Sequence, residues 1–161
     1  MKKTTFVLFL VFILAFSAKA QVLITVADNA TVEIKNGGTL NAGGLELIPD
    51  YDYTINGPNH IERDLTSISI DGNESMARHY EMAEDLTVYE GSIIYNYDDA
   101  DMNGITHFAA LQILDTSGGS WMNYADEDSA DYTVTHAFAA AVQIKAVTAN
   151  DATLSIETVD G

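Results

Sequence analysis

Asp99, Asp101 and Asn103 stand at alternate positions and run into Gly104. Asp-x-Asp-x-Asn-Gly is the first half of a calcium-loop signature. A hard cation takes about six to eight oxygen ligands, and the signature supplies its last from a glutamate at the twelfth position. Here that position is Ala110. Three side chains and the Ile105 carbonyl make an incomplete shell, and no flanking helices are predicted. The missing ligand favours a polar turn whose Asp and Asn side chains cap their own backbone. Calcium is the one cofactor the sequence suggests, as a secondary ligand.

Arg78 gives those carboxylates a second use. If residues 76–82 form a strand, Met76, Arg78, Tyr80 and Met82 share one face. An arginine turned inward must be paired. Asp99 and Asp101 are the expected partners, through a bidentate fork.

Other chemistry is sparse. The histidines are His60, His79, His107 and His136, and no two stand at metal-ligand spacing. Sheet or surface positions are expected for them. There is no Gly-x-Ser-x-Gly elbow, and the carboxylates are too many for a glycosidase pair to stand out. No enzyme is expected. Trp121, Tyr124 and Tyr132 could stack a sugar, although core packing is the commoner fate of aromatics. Asn29-Ala-Thr and Asn73-Glu-Ser match the N-glycosylation pattern.

These residues need strands to hold them. Residues 22–48, "VLITVADNATVEIKNGGTLNAGGLELI", alternate apolar and polar positions between Asp-Asn and Gly-Gly turns. The loose repeat, about ten residues long, fits solenoid rungs or hairpins. "YDYTI", "HIER" and "DLTSISI" continue the pattern, with turns at "NGPN" and Asp71-Gly72. "ESMARHYEMAEDL" is balanced between helix and strand on periodicity alone. Beyond Gly91 the strand signal is steady in "SIIYNY", "FAALQIL", "WMNY", "YTVTHAF", "AAAVQIKAVTA" and "TLSIETV". About ten short strands with frequent turns predict an all-β chain, an antiparallel β-sandwich, over 65–161. A short solenoid-like or hairpin β segment, glycine-rich, precedes it over 21–64.

Residues 1–20 read as a signal peptide. "MKK" is positive, "TTFVLFLVFILAF" is apolar, and "SAKA" offers a cleavage site after Ala20. The apolar run is shorter than the roughly 20 residues a membrane span needs. Export is expected, to the medium or the cell surface, with no membrane insertion of the mature chain. All 24 acidic residues lie beyond the signal, whereas three of the seven basic ones leave with it. The formal charge of −17 thus becomes three units more negative, which repels nucleic acid. There is no cysteine, so thiol chemistry and Cys-based zinc sites are excluded. A cysteine-free exported domain fits a bacterial source.

"GSIIYNYDDADMNGI", then "LQIL", "GGSW" and "YTVTHAF", resembles a β-sandwich module of large exported surface proteins of Bacteroidetes, type IX secretion substrates. The family's loop reads Tyr-x-Asp-x-Glu-Leu-Asn-Gly. Here Tyr97, Asp99, Asp101, Met102, Asn103 and Gly104 occupy it, with Asp for Glu and Met for Leu. The family's Ile-x-Arg-x-Tyr-x-Phe strand is matched by Met76, Arg78, Tyr80 and Met82, which turns the balanced stretch towards strand. Asp128-Ser129-Ala130 resembles the O-glycosylation motif of such substrates and marks Ser129. The resemblance implies a structural or adhesive role at the cell exterior, with an extracellular glycan or surface protein as partner. The alternative is a carbohydrate-binding module using Trp121, Tyr124 and Tyr132.

Overall fold

The computed structural model describes residues 20–105, 109–115, 119–124 and 132–151. Among them the chain is all strand and turn. The strands are β1 (Gln21–Val26), β2 (Thr31–Ile34), β3 (Leu40–Ala42), β4 (Leu45–Pro49), β5 (Tyr53–Asn56) and β6 (Asn59–Asp64). They continue as β7 (Ser69–Ile70), β8 (Asn73–Glu74), β9 (His79–Asn96), β10 (Ala109–Asp115), β11 (Ser120–Tyr124) and β12 (Thr133–Asp151).

Eight strands join one sheet in the order β1-β6-β9-β12-β10-β11, with β4 on β9 and β3 on β4. Ribbons β2–β5 and β7–β8 stand apart from it. Every pairing is antiparallel. Of the two arrangements expected for residues 21–64, rungs or hairpins, only β3–β4 is a hairpin; β1 pairs with β6 and β2 with β5 across the segment, all antiparallel. β1, β3, β4 and β6 also share a sheet with β9 and β12, so the stretch before residue 65 contributes half the strands of that sheet.

Two long strands turn this sheet into a sandwich-like fold. The first part of β9 pairs with β6, through Ile61 to Asp64, and its second part with β4, through Leu45 to Pro49. β12 follows it, pairing at one end with residues 91–96 and at the other with 80–86 and β10. The two halves then face each other. Tyr80 meets Tyr95 edge to face at 5.8 Å, and Tyr124 meets Phe138 the same way at 4.9 Å. The register slips that allow the bend are large. Ala139 to Ala141 stand opposite Glu90 alone, and Lys145 stands opposite residues 82–85. Such bulges bend a strand and tighten its twist. Lys145 Nζ reaches 2.5 Å to the Ala83 carbonyl inside the second bulge, and so serves a backbone group that lost its ladder partner.

The balanced stretch is strand only from His79 onward, where β9 begins; Met76 and Arg78, expected on the same strand, lie in the link between β8 and β9. Tyr80 and Met82 are fully buried on either side of exposed Glu81, which is a strand face. Tyrosine suits the core because its hydroxyl can pin a second element. Tyr80 Oη donates to the Gly43 carbonyl at 2.8 Å, Tyr89 to Ser92 at 2.7 Å and Tyr95 to Arg78 at 2.8 Å. Burial pushes the Tyr89 and Tyr95 phenols well above their ordinary pKa. Gly91 is required where β9 crosses β4. Its φ is +130°, and a Cβ there would lie 2.4 Å from the Ile48 carbonyl oxygen.

Candidate functional site

The acidic loop is built from its own backbone outward. Asp98 Oδ1 accepts from Ala100 N at 2.8 Å, Asp101 Oδ2 accepts from Asp98 N at 2.9 Å, and Asp101 N donates to the Asp98 carbonyl at 3.0 Å. Asn103 and Gly104 both have positive φ and reverse the chain. The loop is then fastened to residues 75–78. Ala77 N donates to the Asp101 carbonyl at 2.8 Å, and Asn103 Nδ2 donates to the Ser75 carbonyl at 2.8 Å.

Arg78 stands at the centre of this contact. Its Nη2 lies 2.8 Å from Asp101 Oδ2 and 3.8 Å from Asp98 Oδ2, and its Nη1 donates to the Asn96 carbonyl at 3.0 Å. The Arg78 and Asp101 side chains are 14% and 6% exposed, so the pair lies largely out of water, where loss of one partner is costly. Two details differ from expectation. The guanidinium spreads over a carboxylate and a carbonyl instead of forking onto one carboxylate. The second nearby carboxylate is that of Asp98, because Asp99 points the other way and accepts from Tyr132 Oη at 2.8 Å. Burial holds the Asp101 carboxyl above its usual pKa, with the Asp98 backbone N–H and Arg78 opposing. The Asp99 carboxylate in turn raises the Tyr132 phenol.

The residues proposed for calcium therefore face three different partners: Asp99 meets Tyr132, Asp101 meets Arg78, and Asn103 meets Ser75. Among the described residues no group of three His, Asp or Glu is placed to hold a metal ion. Nor are the aromatics proposed for a sugar platform brought together. Trp121 pairs with Leu114 and Tyr124 with Leu111, so they point to opposite faces of β11. Tyr124 is buried, its ring tilted against that of His136 with centroids 4.4 Å apart. Tyr132 packs on Tyr97 at 5.6 Å. His79 Nδ1 lies 3.0 Å from the Thr66 carbonyl, and His60 and His79 each approach a glutamate. His107 and Ser129 lie outside the described residues.

Another region was not anticipated from the sequence. β6 leaves β9 at Met82, and β4 joins it at Gly91. Between them side chains and one backbone N–H serve the edge of β9. Asn59 Nδ2 donates to the Glu84 carbonyl while Asn59 Oδ1 accepts from Glu84 N, both at 3.0 Å. Tyr53 Oη donates to the Thr87 carbonyl at 3.1 Å, and Asp50 N to the Glu90 carbonyl at 3.1 Å. A cleft of about 380 Å³ opens beside this gap, lined by Pro49, Tyr51, Asp52, Tyr53, Val88 and Glu90. A smaller one of about 220 Å³ is lined by residues 53–59 and 84–87 and shares Tyr53 with it. The only trace of this region in the sequence is the "YDY" alternation, which spaces Tyr51 and Tyr53 like neighbours on one strand face.

Comparison with protein-family models, curated proteins and solved structures finds no match for this chain. Among the described residues no helix is long and apolar enough to cross a membrane.

Proposed function

We propose that this chain is an exported, non-catalytic structural and adhesive module of a bacterial cell exterior, of the kind its Bacteroidetes-like motifs suggest. The observation that carries the reading is how its charged side chains are used. Arg78, Arg63, Lys35 and Lys145 are each spent on internal contacts that hold loops and bulges. The outward surface is left strongly acidic, which keeps a sheet protein soluble and resists edge-to-edge association. The role needs no cofactor, and a surface protein or glycan is the expected partner. The sugar-binding alternative on Trp121, Tyr124 and Tyr132 loses support because Tyr124 turns inward.

Fractionation of the producing cell with an antibody to the chain tests the proposal. The chain should appear in the medium or on the surface, shortened at Ala20, and its deletion should reduce attachment. Recovery from the cytoplasm at full length would sink the reading. A glycan array should give no specific hit.

A further inference from the structure

Asparagine is followed by glycine at 36–37, 56–57 and 103–104. In such a pair the glycine backbone nitrogen can attack the side-chain carbonyl carbon of the asparagine, expelling ammonia and leaving a cyclic imide. Asparagine is thermolabile for this reason, and glycine puts no side chain in the way.

The fold treats the three pairs differently. At Asn56 the attacking nitrogen is engaged, because Gly57 N donates to the Ala30 carbonyl at 2.9 Å. The backbone there is also tightly packed, since a Cβ on Gly57 would fall 1.9 Å from the Ala27 carbonyl oxygen. At Asn103 the leaving group is engaged, because Nδ2 donates to the Ser75 carbonyl at 2.8 Å. Gly104 is as open as Gly37, so that hydrogen bond is what sets Asn103 apart from Asn36. At Asn36 neither group is held. Asn36 and Gly37 are exposed, and among the described residues neither the Asn36 carboxamide nor Gly37 N has a hydrogen-bond partner. The turn is fastened elsewhere, by Gly38 N on the Lys35 carbonyl at 2.7 Å and by Asn36 N on Asp52 Oδ1 at 3.0 Å.

We propose that Asn36 is a site of spontaneous modification, converting through a cyclic imide with Gly37 to aspartate and isoaspartate. The bond from Gly37 N to Asn36 Cγ forms, the Cγ–Nδ2 bond breaks, and the Gly37 proton departs with the ammonia. Water then opens the imide at either carbonyl. Isoaspartate carries the main chain through the former side chain, and the added methylene disrupts the turn from Lys35 to Gly38. The new carboxylate stands beside Lys35, in competition with Glu33 and Asp52. Conversion therefore loosens the end of the β2–β5 ribbon, where Ile34 pairs with Tyr53. The inference is independent of the adhesive reading.

The test is incubation of the purified, unaltered chain at mildly alkaline pH, with the three sites followed by peptide mass spectrometry. Asn36 should convert roughly tenfold faster than Asn56 or Asn103, equivalent to about 1.4 kcal/mol of restraint at the slower sites. In urea the three rates should converge, because the dipeptide is the same and only the fold separates them. The Asn36 rate should climb with pH, since Gly37 N must lose its proton to attack. Asn36→Gln, whose longer side chain closes the ring poorly, should abolish conversion there and leave the other two sites unchanged. In the converted chain, amide signals of Lys35, Asp52 and Tyr53 should move while those of Arg78 and Asp101 stay in place. Equal rates at the three sites of the folded chain would overturn the proposal. So would a folded-chain Asn36 that is slowed relative to urea as much as Asn56 and Asn103 are.

Discussion

The two polar regions flanking β9 use charge in opposite ways. At the acidic loop, Arg78 and Asp101 are taken out of water and locked by the carbonyl of Asn96 and the backbone N–H of Asp98. At the bend, neutral groups of Asn59 and Tyr53 serve the strand edge, and the carboxylates face solvent or the cleft. A buried ion pair fixes one geometry because either partner alone is intolerable there. Neutral caps satisfy the backbone just as well and take no charge out of water. The first region is built to hold a loop, the second to leave an opening.

Five single substitutions and one paired substitution sharpen this contrast, taken from the largest effect to the smallest. Arg78→Ala strands the Asp101 carboxylate and should cost about 3 kcal/mol or more, read as a lowered midpoint in urea. Arg78→Met with Asp101→Leu should recover most of that loss, because an apolar pair avoids the desolvation. An unchanged melt for Arg78→Ala would mean that the pair is solvated and the contrast false. Asn59→Ala removes both partners of Glu84 and should cost about 2 kcal/mol, as for a buried polar group left unmade. Equal stability would show that water closes the gap unaided.

Tyr53→Phe should have a smaller effect, with a pH signature. Burial pushes the Tyr53 phenol from 10.0 up to about 12. The folded chain therefore keeps this proton where the unfolded chain releases it. The stabilisation is complete below pH 10 and is lost as pH rises towards 12. Tyr53→Phe should make the alkaline fall in stability shallower, measured by denaturation at stepped pH, and an identical fall would count against burial of that hydroxyl. The smallest effects belong to the cleft rim. Tyr51→Ala should change stability by no more than about 0.5 kcal/mol, as exposed positions do. Val88→Gly should be neutral or mildly stabilising, since relief of strain opposes the entropy of glycine. A loss of several kcal/mol at either would show that the rim supports the fold.

Much of the strand pattern was legible before any coordinates. Alternation marks Ile93 and Tyr95 as inward, and Asp71-Gly72 as the turn of the β7–β8 hairpin, where both residues have positive φ. The expectation that Arg78 would meet the acidic loop followed from one fact, that an inward arginine needs an anion. Which carboxylate it meets did not follow. Neighbouring aspartates are alike in sequence, and the choice of Asp101 with Asp98, and not Asp99, depends on how Asn103 and Gly104 turn the loop. The faces of Trp121 and Tyr124 were obscure for a similar reason. Odd spacing on a strand separates them, but only the pairing of β11 with β10 says which one faces the core. Gln112 and Asn123 show the same limit: they sit buried side by side, with Nε2 donating to Oδ1 at 2.7 Å, although both are polar residues on strands read as apolar.

The sequence by itself determined the class of structure, because two-residue periodicity and turn chemistry are local and need no partner. It also determined that the few cations would be scarce resources among many carboxylates. The tertiary structure decided what happens over distance. It joined residues 21–64 to β9 in a single sheet, slipped the register until β9 and β12 bent over themselves, and left an opening at the bend. Those outcomes depend on pairing between strands far apart in the chain, and on bulges whose place is set by packing of both halves at once.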